Sequence, residues 1–302
     1  MAQMPALSLV AVAGRRARTL ELAQEIERRG FSGIYSPSLS DGVGLCEALA
    51  LCTKQITFGT AIANIYARHP YDYAGSAALI HELSGGRFRF GIGVSHGPMN
   101  ERLAVQTGKP LADIRDFTAR LREAEAHSGP LPPLVLATLR QRMVELAGEI
   151  GQGAVWANAA RSHMAASLQH LPREKRSDPD FMIGDMIPTC ISDDREAAAR
   201  LMRRTLVLYV SLPNYQNYWI EAGYAEEMQA IRRAIAAGER DKLPGLMSDR
   251  WLRDVTLFGS AAEVRDGLEA WYAAGVNTPI LVPSSTEGGQ VKAFEELFAA
   301  FA

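Results

Sequence analysis

The sequence predicts an α/β protein, a (β/α)8 TIM barrel with a helical insertion near strand seven, on two observations. Short apolar runs alternate with stretches of helical periodicity, the pattern of a parallel sheet covered by helices. At 302 residues the chain exceeds the roughly 250 residues usual for such a barrel by about one insertion. An open doubly wound sheet satisfies the alternation as well; length favours the barrel.

The elements follow in order. Leu7 to Ala13 is an apolar run, and Thr19 to Arg29 has helical periodicity that stops at Gly30. Gly33 to Ser36 is a short strand, Gly44 to Thr53 a helix and Ile56 to Ile62 a strand. Tyr73 to Leu83 is helical, Phe88 to Val94 is a strand, Leu111 to His127 is helical and Leu134 to Ala137 is a strand. Arg140 to Ile150 reads as an amphipathic helix with Met143, Leu146, Ala147 and Ile150 on one face, followed by the strand Gly153 to Trp156. Met182 to Cys190 and Val276 to Val282 supply strands seven and eight. Between them, Glu196 to Trp271 is mostly helical and is taken as the insertion.

Composition narrows the function. Lys and Arg number 32 against 34 Asp and Glu, giving a net charge of −2, and both signs are interspersed. Nothing marks a nucleic-acid groove or a membrane-binding face, so the expected partner is a small-molecule substrate, with no nucleic acid and no membrane. Three cysteines, Cys46, Cys52 and Cys190, form no CxxC and no metal-ligand spacing, which reads as a reduced compartment without a structural metal. The leading segment Met1 to Val12 is apolar, with its arginines after the apolar run, the reverse of a signal peptide. No stretch approaches the ~20 apolar residues of a membrane span. A cytoplasmic protein is expected.

In a (β/α)8 barrel the reacting groups sit at the C-terminal ends of the strands. Here those ends are Gly14, Ser36 to Ser38, Ala61 to Asn64, Val94 to Gly97, Ala137 to Gln141, Trp156 to Asn158, Pro188 to Cys190 and Pro283 to Ser285. A mouth of small residues suits a large flat ligand, and a Cβ on Gly91 or Gly93 would occupy its volume; relief of crowding inside the barrel is the other account of those glycines. In "LATLRQRMVELAGEIGQG" (136–153) a strand ends at Ala137, Thr138 offers a hydroxyl, and a helix opens within three residues. The N–H groups of Leu139, Arg140 and Gln141 then face outward where a helix end binds phosphate, and Arg140 and Arg142 add positive charge. Asn64 offers an amide at the mouth. His69, before Pro70 at a helix entry, reads as structural, and Tyr66 and Trp156 read as packing before they read as pocket. A phosphate-binding aldolase or isomerase would need a lysine or paired carboxylates at the strand ends. The sequence places Lys54, Lys109 and its carboxylates on helices or helix-adjacent turns.

The combination of "GTAIANIYARHP", "ELSGGRFRFGIGVSHGPMNE" and "LATLRQRMVELAGEIGQG", in order and followed by "LFGSAAEVRDGLEAWYAAGVNTPILVP", resembles the bacterial-luciferase-like monooxygenase superfamily, in particular its coenzyme F420-dependent (deazaflavin) branch. The likeness runs over nearly the whole chain. It implies a single luciferase-like barrel domain over 1–302 with the helical insertion at about 196–271, and usually a homodimer. It implies a non-prolyl cis peptide at the end of strand three, which falls between Ala61 and Ile62, with Asn64 close by. It implies phosphate contacts after strand four, at Val94, Ser95 and Gly97, and at the helix after strand five, at Thr138, Leu139, Arg140 and Gln141. Ser38 and Gly93 complete the implied cofactor contacts.

The chain also departs from the pattern. Many relatives carry an Asp-His pair after strand two, where "YSPSLSDG" leaves Ser36, Ser38 and Asp41. Arg140 stands where a glycine is common, and Gln152-Gly153 where an Asp-Gly is common. His96 stands near the place of an acidic catalytic residue in some deazaflavin relatives. The resemblance implies hydride transfer between the deazaflavin and a small organic substrate, with His96 as the catalytic proton donor or acceptor. The alternatives are FMN with molecular oxygen, and a cofactor-binding protein without turnover.

Overall fold

The computed structural model describes residues 3–38 and 41–302; Met1 and Ala2 of the leading apolar run lie outside the described residues. In chain order the elements are β1 (Ala6–Ser8), α1 (Arg16–Arg28), β2 (Gly33–Ser36), α2 (Gly42–Cys52), β3 (Thr57–Thr60), β4 (Ala63–Asn64), α3 (Pro70–Leu83), β5 (Phe88–Gly93), α4 (Gly97–Arg102), α5 (Pro110–Ser128), β6 (Leu134–Ala137), α6 (Gln141–Ile150) and β7 (Gly153–Ala157). There follow α7 (Met164–Leu168), α8 (Arg173–Ser177), β8 (Met182–Ile191), α9 (Arg195–Val210), α10 (Pro213–Glu221), α11 (Ala225–Ala236), α12 (Leu243–Leu246), α13 (Asp249–Val255), β9 (Leu257–Gly259), α14 (Ala261–Ala273), β10 (Thr278–Ser284) and α15 (Gln290–Ala300).

The chain divides into two compact units, one of residues 1–156 and 170–184, the other of 157–169 and 185–302. In the first, β1, β2, β3, β5, β6 and β7 lie side by side in that order, every pair parallel. Consecutive parallel strands need a crossover, and the helices supply it. Their buried faces recur at helical spacing, as Thr19, Leu22, Ala23 and Ile26 do in α1, so each helix covers the sheet with one stripe. The strands are buried on both sides, which is why Phe88, Phe90, Ile92, Leu134, Val135 and Leu136 form near-continuous apolar runs. In the second unit β8 pairs with β10 and, through Thr189↔Leu257 and Ile191↔Gly259, with β9. Its aromatic core includes Trp219, Trp251 and Trp271, each almost wholly buried.

Two of the sequence motifs are structural. His69 caps α3, its Nδ1 accepting the Tyr71 N–H, with Pro70 at the first helical position, as the sequence suggests. Gly85 and Gly86 close the same helix at positive φ (62° and 85°). Arg87 then stitches the turn to its neighbours, donating to the carbonyls of Ser84, Ile56, Ala50 and Thr53 and to the Thr53 hydroxyl.

The structure corrects several expectations. Strand one stops at Ser8; Leu9 is still buried, its N–H donating to the Tyr35 carbonyl, and the run turns outward beyond it, to the exposed Val12. The buried residues of α6 are Val144, Leu146, Ala147 and Gly148; Met143 and Ile150 are only half-buried. The short elements β4 and α4 were not expected, and neither was β9 inside the otherwise helical segment 196–271. Asp185 lies in the middle of β8, so not every carboxylate sits on a helix or a turn. Among the described residues no helix is long and apolar enough to cross a membrane.

Candidate active site

Three neighbouring strand ends of the first unit meet at Ile62, Gly93 and Ala137. After β3 the chain makes a cis peptide bond between Ala61 and Ile62, where the resemblance places one. The Ala61 N–H donates to the Ser36 carbonyl at 2.7 Å, which ties this bond to the end of β2. The following β4 pairs with β5 through Ala63↔Ile92 and Asn64↔Gly93. A Cβ built on Gly93 would lie 2.7 Å from the Ala137 Cβ and 3.1 Å from the Ile62 Cγ1. On Gly91 it would lie 1.9 Å from the Thr60 carbonyl oxygen. The glycines are therefore required by close approach of neighbouring chain. The reading that they vacate ligand volume gives way to the crowding account.

Asn64 is buried and internally engaged: its Nδ2 donates to Asn100 Oδ1 (2.9 Å), its Oδ1 accepts the Tyr66 N–H, and its carbonyl accepts the Tyr73 hydroxyl. Asn100 Nδ2 donates in turn to the Val94 carbonyl at 2.9 Å. This chain of amides fixes the loop after β5 against β4, so Asn64 acts as a brace here. The loop passes through Ser95, at φ 56°, and reaches His96, which precedes α4 and whose carbonyl accepts the N–H groups of Met99 and Asn100. The His96 ring is half-buried, and burial holds its pKa below the ordinary value. It is therefore neutral near pH 7 and able to accept a proton. Gly97, at the start of α4, is exposed and has open space around its Cα.

On the far side of Gly93, β6 ends at Ala137. Thr138 is buried, its N–H donates to the Val155 carbonyl at 2.8 Å, and its hydroxyl lies 3.5 Å from the same oxygen. Leu139 is half-buried, whereas Arg140 and Gln141 are exposed. The helix α6 opens at Gln141 with no side chain capping it from Arg140. Its first-turn N–H groups are the kind of donors an anion takes. Ser36, wholly buried at the end of β2, carries an Oγ without a hydrogen-bond partner. Ser38 is half-buried in the turn beyond it, and among the described residues no hydrogen bond joins it to this group.

The uncapped helix start and the orphaned Ser36 hydroxyl fit a ligand with a phosphate and a polar ring edge. Tyr66 is half-buried and donates to the Asp113 carboxylate, and Trp156 is fully buried with its indole Nε1 lacking a hydrogen-bond partner. Among the described residues no cluster of His, Cys, Asp or Glu is arranged to hold a metal ion. Sequence reasoning missed Ser36 as an orphaned group and Asp185 altogether. The signal for Asp185 was present: a lone acid inside the apolar run "FMIGDMIP" (181–188).

Comparison with known proteins gives a consistent picture. The chain is 25% identical to a Mycobacterium tuberculosis protein named "Putative coenzyme F420-dependent oxidoreductase", over 88% of this chain and 91% of that one. It is similar in structure to the coenzyme F420 dependent tetrahydromethanopterin reductase of Methanopyrus kandleri (TM-score 0.77, 17% identity, 98% of both chains). It is also similar to the oxygenating constituent of 3,6-diketocamphane monooxygenase from Pseudomonas putida, a Baeyer-Villiger monooxygenase in complex with FMN (TM-score 0.59, 17% identity, 100% of this chain and 96% of that one). The first of these structural likenesses shows the fold class, α/β of the (β/α)8 barrel type. The family model for luciferase-like monooxygenases matches residues 6–278, and the chain belongs to that family.

Proposed function

We propose that this protein is an oxidoreductase that moves a hydride between coenzyme F420 and a small organic substrate, an alcohol, a carbonyl compound or an activated double bond. The observation that carries the reading is the juxtaposition, in one unit, of the uncapped start of α6 with the crowded ends of β3, β5 and β6. The named likenesses to F420-dependent proteins support the choice of coenzyme. When bound, the deazaflavin supplies a carbon centre that accepts or donates hydride and reacts poorly with oxygen. The chain's part is to hold and orient.

In this reading the N–H groups of Gln141 and Arg142 bind the phosphate, and the exposed Arg140 adds charge. The Ala61–Ile62 peptide, Gly93 and the 94–97 loop back the ring, and the Ser36 hydroxyl meets its polar edge. His96, neutral at physiological pH, takes or returns the substrate proton. A homodimer in the cytoplasm belongs to the same proposal.

Fluorescence titration of the purified protein with F420 and, separately, with FMN tests it. Saturable binding of F420 alone supports the reading. Preference for FMN favours the oxygen-dependent alternative, which the likeness to the FMN-bound monooxygenase supports, and binding of neither overturns both. Binding of F420 without reduction of any substrate offered leaves a cofactor-binding protein, the outcome to which the absent Asp-His pair after β2 points.

A further inference from the structure

Within the first unit a cleft of about 680 Å³ opens between α5 and α6. That volume lies in the range of small-molecule sites, roughly 300–1,000 Å³. The α6 wall is Arg142, Glu145, Leu146 and Glu149, spaced i, i+3, i+4 and i+7 and so on one face of the helix. The facing wall runs from Lys109, at the N-cap of α5, to Arg115.

The cleft has two unlike ends. Both helices cross over between parallel strands of one sheet, so they run in the same direction. At the inner end Arg115 grips Glu149 with both guanidinium nitrogens, at 2.6 and 2.5 Å. Counted back at about 1.5 Å per residue, Lys109 lies about 9 Å and Arg142 about 10 Å before that pair. The two cations therefore stand on opposite walls of the outer end, and both are exposed.

No carboxylate answers them. Among the described residues neither the Lys109 nor the Arg142 side chain makes a hydrogen bond or an ion pair. Glu149 is held by Arg115, and Glu145 Oε1 accepts from Gln141 Nε2 at 2.9 Å. The first turn of α6 contains no acidic residue, and Asp113 in that of α5 accepts instead from the Tyr66 hydroxyl and the Gly108 N–H. A positive charge at the N-terminal end of a helix opposes the macrodipole, and like charges on adjoining ends repel. Lys109 and Arg142 thus weaken the fold where they stand unless an anion lies between them. The floor of the cleft is apolar, with Leu146 buried and Leu111 half-buried, which suits methylene groups. The planar Arg142 fork takes a carboxylate on two N–H bonds.

We propose that this cleft binds a polycarboxylate, two or more carboxylates spaced along a flexible chain, with one on Lys109, another on Arg142 and the methylenes on Leu111 and Leu146. Such a chain has two sources. One is a free di- or tricarboxylic acid. The other is the oligoglutamyl tail that the deazaflavin carries beyond its phosphate and FMN lacks; this source rests on the coenzyme reading, in which the phosphate sits at the start of α6, where the cleft begins.

The test takes each source in turn on the full chain. Calorimetric titration in low salt is expected to show saturable binding of tricarballylate in preference to sulfate, and no binding of the uncharged triamide. Lys109→Gln and Arg142→Gln should each raise Kd about fivefold, the upper end of what one exposed ion pair contributes. In the second arm, fluorescence titration compares F420 with the same deazaflavin phosphate stripped of its glutamates. Removal of the tail should weaken binding about fivefold in the parent and leave it unchanged in Lys109→Gln, a variant on α5 and away from the phosphate contact. Tricarballylate binding without a tail effect upholds the cleft with the free acid as its occupant; a tail effect that Lys109→Gln abolishes upholds it with the tail. Sulfate binding as well as tricarballylate together with no tail effect, or Kd values unmoved in both glutamine variants, overturns the proposal. Failure of F420 itself to bind removes the coenzyme reading alone, and the tricarballylate arm then decides.

Discussion

The carbonyl oxygen of Thr60 stands where a side chain on Gly91 would begin, 1.9 Å from the position of a Cβ. Both residues also share a hydrogen bond, from the Thr60 hydroxyl to the Gly91 carbonyl at 2.6 Å. Two strands that approach this closely leave no room for a methyl group, and the obstacle is backbone that cannot rotate away. Gly91→Ala is therefore expected to lower stability by more than about 4 kcal/mol, among the largest effects of a single substitution. Gly97→Ala, with nothing within 4 Å of the new atom, should change it by less than about 0.5 kcal/mol. Calorimetric unfolding of the two variants tests the contrast, and a well-folded Gly91→Ala would contradict the strand geometry.

This pair also shows how far the sequence could be read. The strand from Phe88 was legible from its apolar run, and the two glycines announced that something came close. What came close was the neighbouring strand, and long-range register of that kind leaves no local trace in a sequence. Asn64 is a similar case: its place after β3 was expected, but its bond to Asn100, 36 residues on, was not. By contrast, the start of α6 and the His69 cap follow from local chemistry and were read correctly. Asp185 was visible as an oddity, and only the packing of α9 and α10 gave it neighbours.

Glu27 is a buttress whose worth depends on pH. Its Oε1 accepts the N–H groups of Lys54, Gln55 and Ile56 at 2.8, 2.7 and 2.9 Å. Although burial raises its pKa, those donors and Arg87 hold the carboxyl below the ordinary value. A depressed carboxylate stabilises the fold above its unfolded pKa, and this contribution is lost as pH falls through the folded value. Glu27→Gln should cost about 1–3 kcal/mol at pH 7, and the deficit should vanish in strong acid. Urea unfolding of both proteins across that range measures it; a constant deficit at every pH would mean the charge plays no part.

His96 makes a kinetic prediction under the proposed function. Burial lowers its pKa, so the neutral base persists to below pH 6.5, the ordinary imidazole value. With His96 as the base, turnover falls as pH drops through that lowered value. His96→Ala is expected to reduce kcat at least tenfold, which lies within the usual range for a general acid or base, and to remove the acid limb of the profile. The Kd for F420 should stay within twofold. Full activity, or an acid limb that survives the substitution, would remove His96 from the reaction.

Asp185 carries the opposite pH signature to Glu27. Burial raises its pKa from 3.8 to about 7, the Ala159 N–H opposing the shift only in part, and the groups facing it, the Tyr215 and Tyr218 phenols, bring no positive charge. Between those two values the folded chain binds more protons than the unfolded one, so stability falls as pH rises from about 4 to about 7 and levels off above. Asp185→Asn removes the ionisation and keeps the shape. The variant should therefore match or exceed the parent in Tm at pH 8 and lose the advantage near pH 5, where the parent's acid is neutral. A parent that grows more stable from pH 5 to pH 8 relative to Asp185→Asn would show that Asp185 is ionised and paired in the folded chain, with an acceptor-only oxygen in place of the acid.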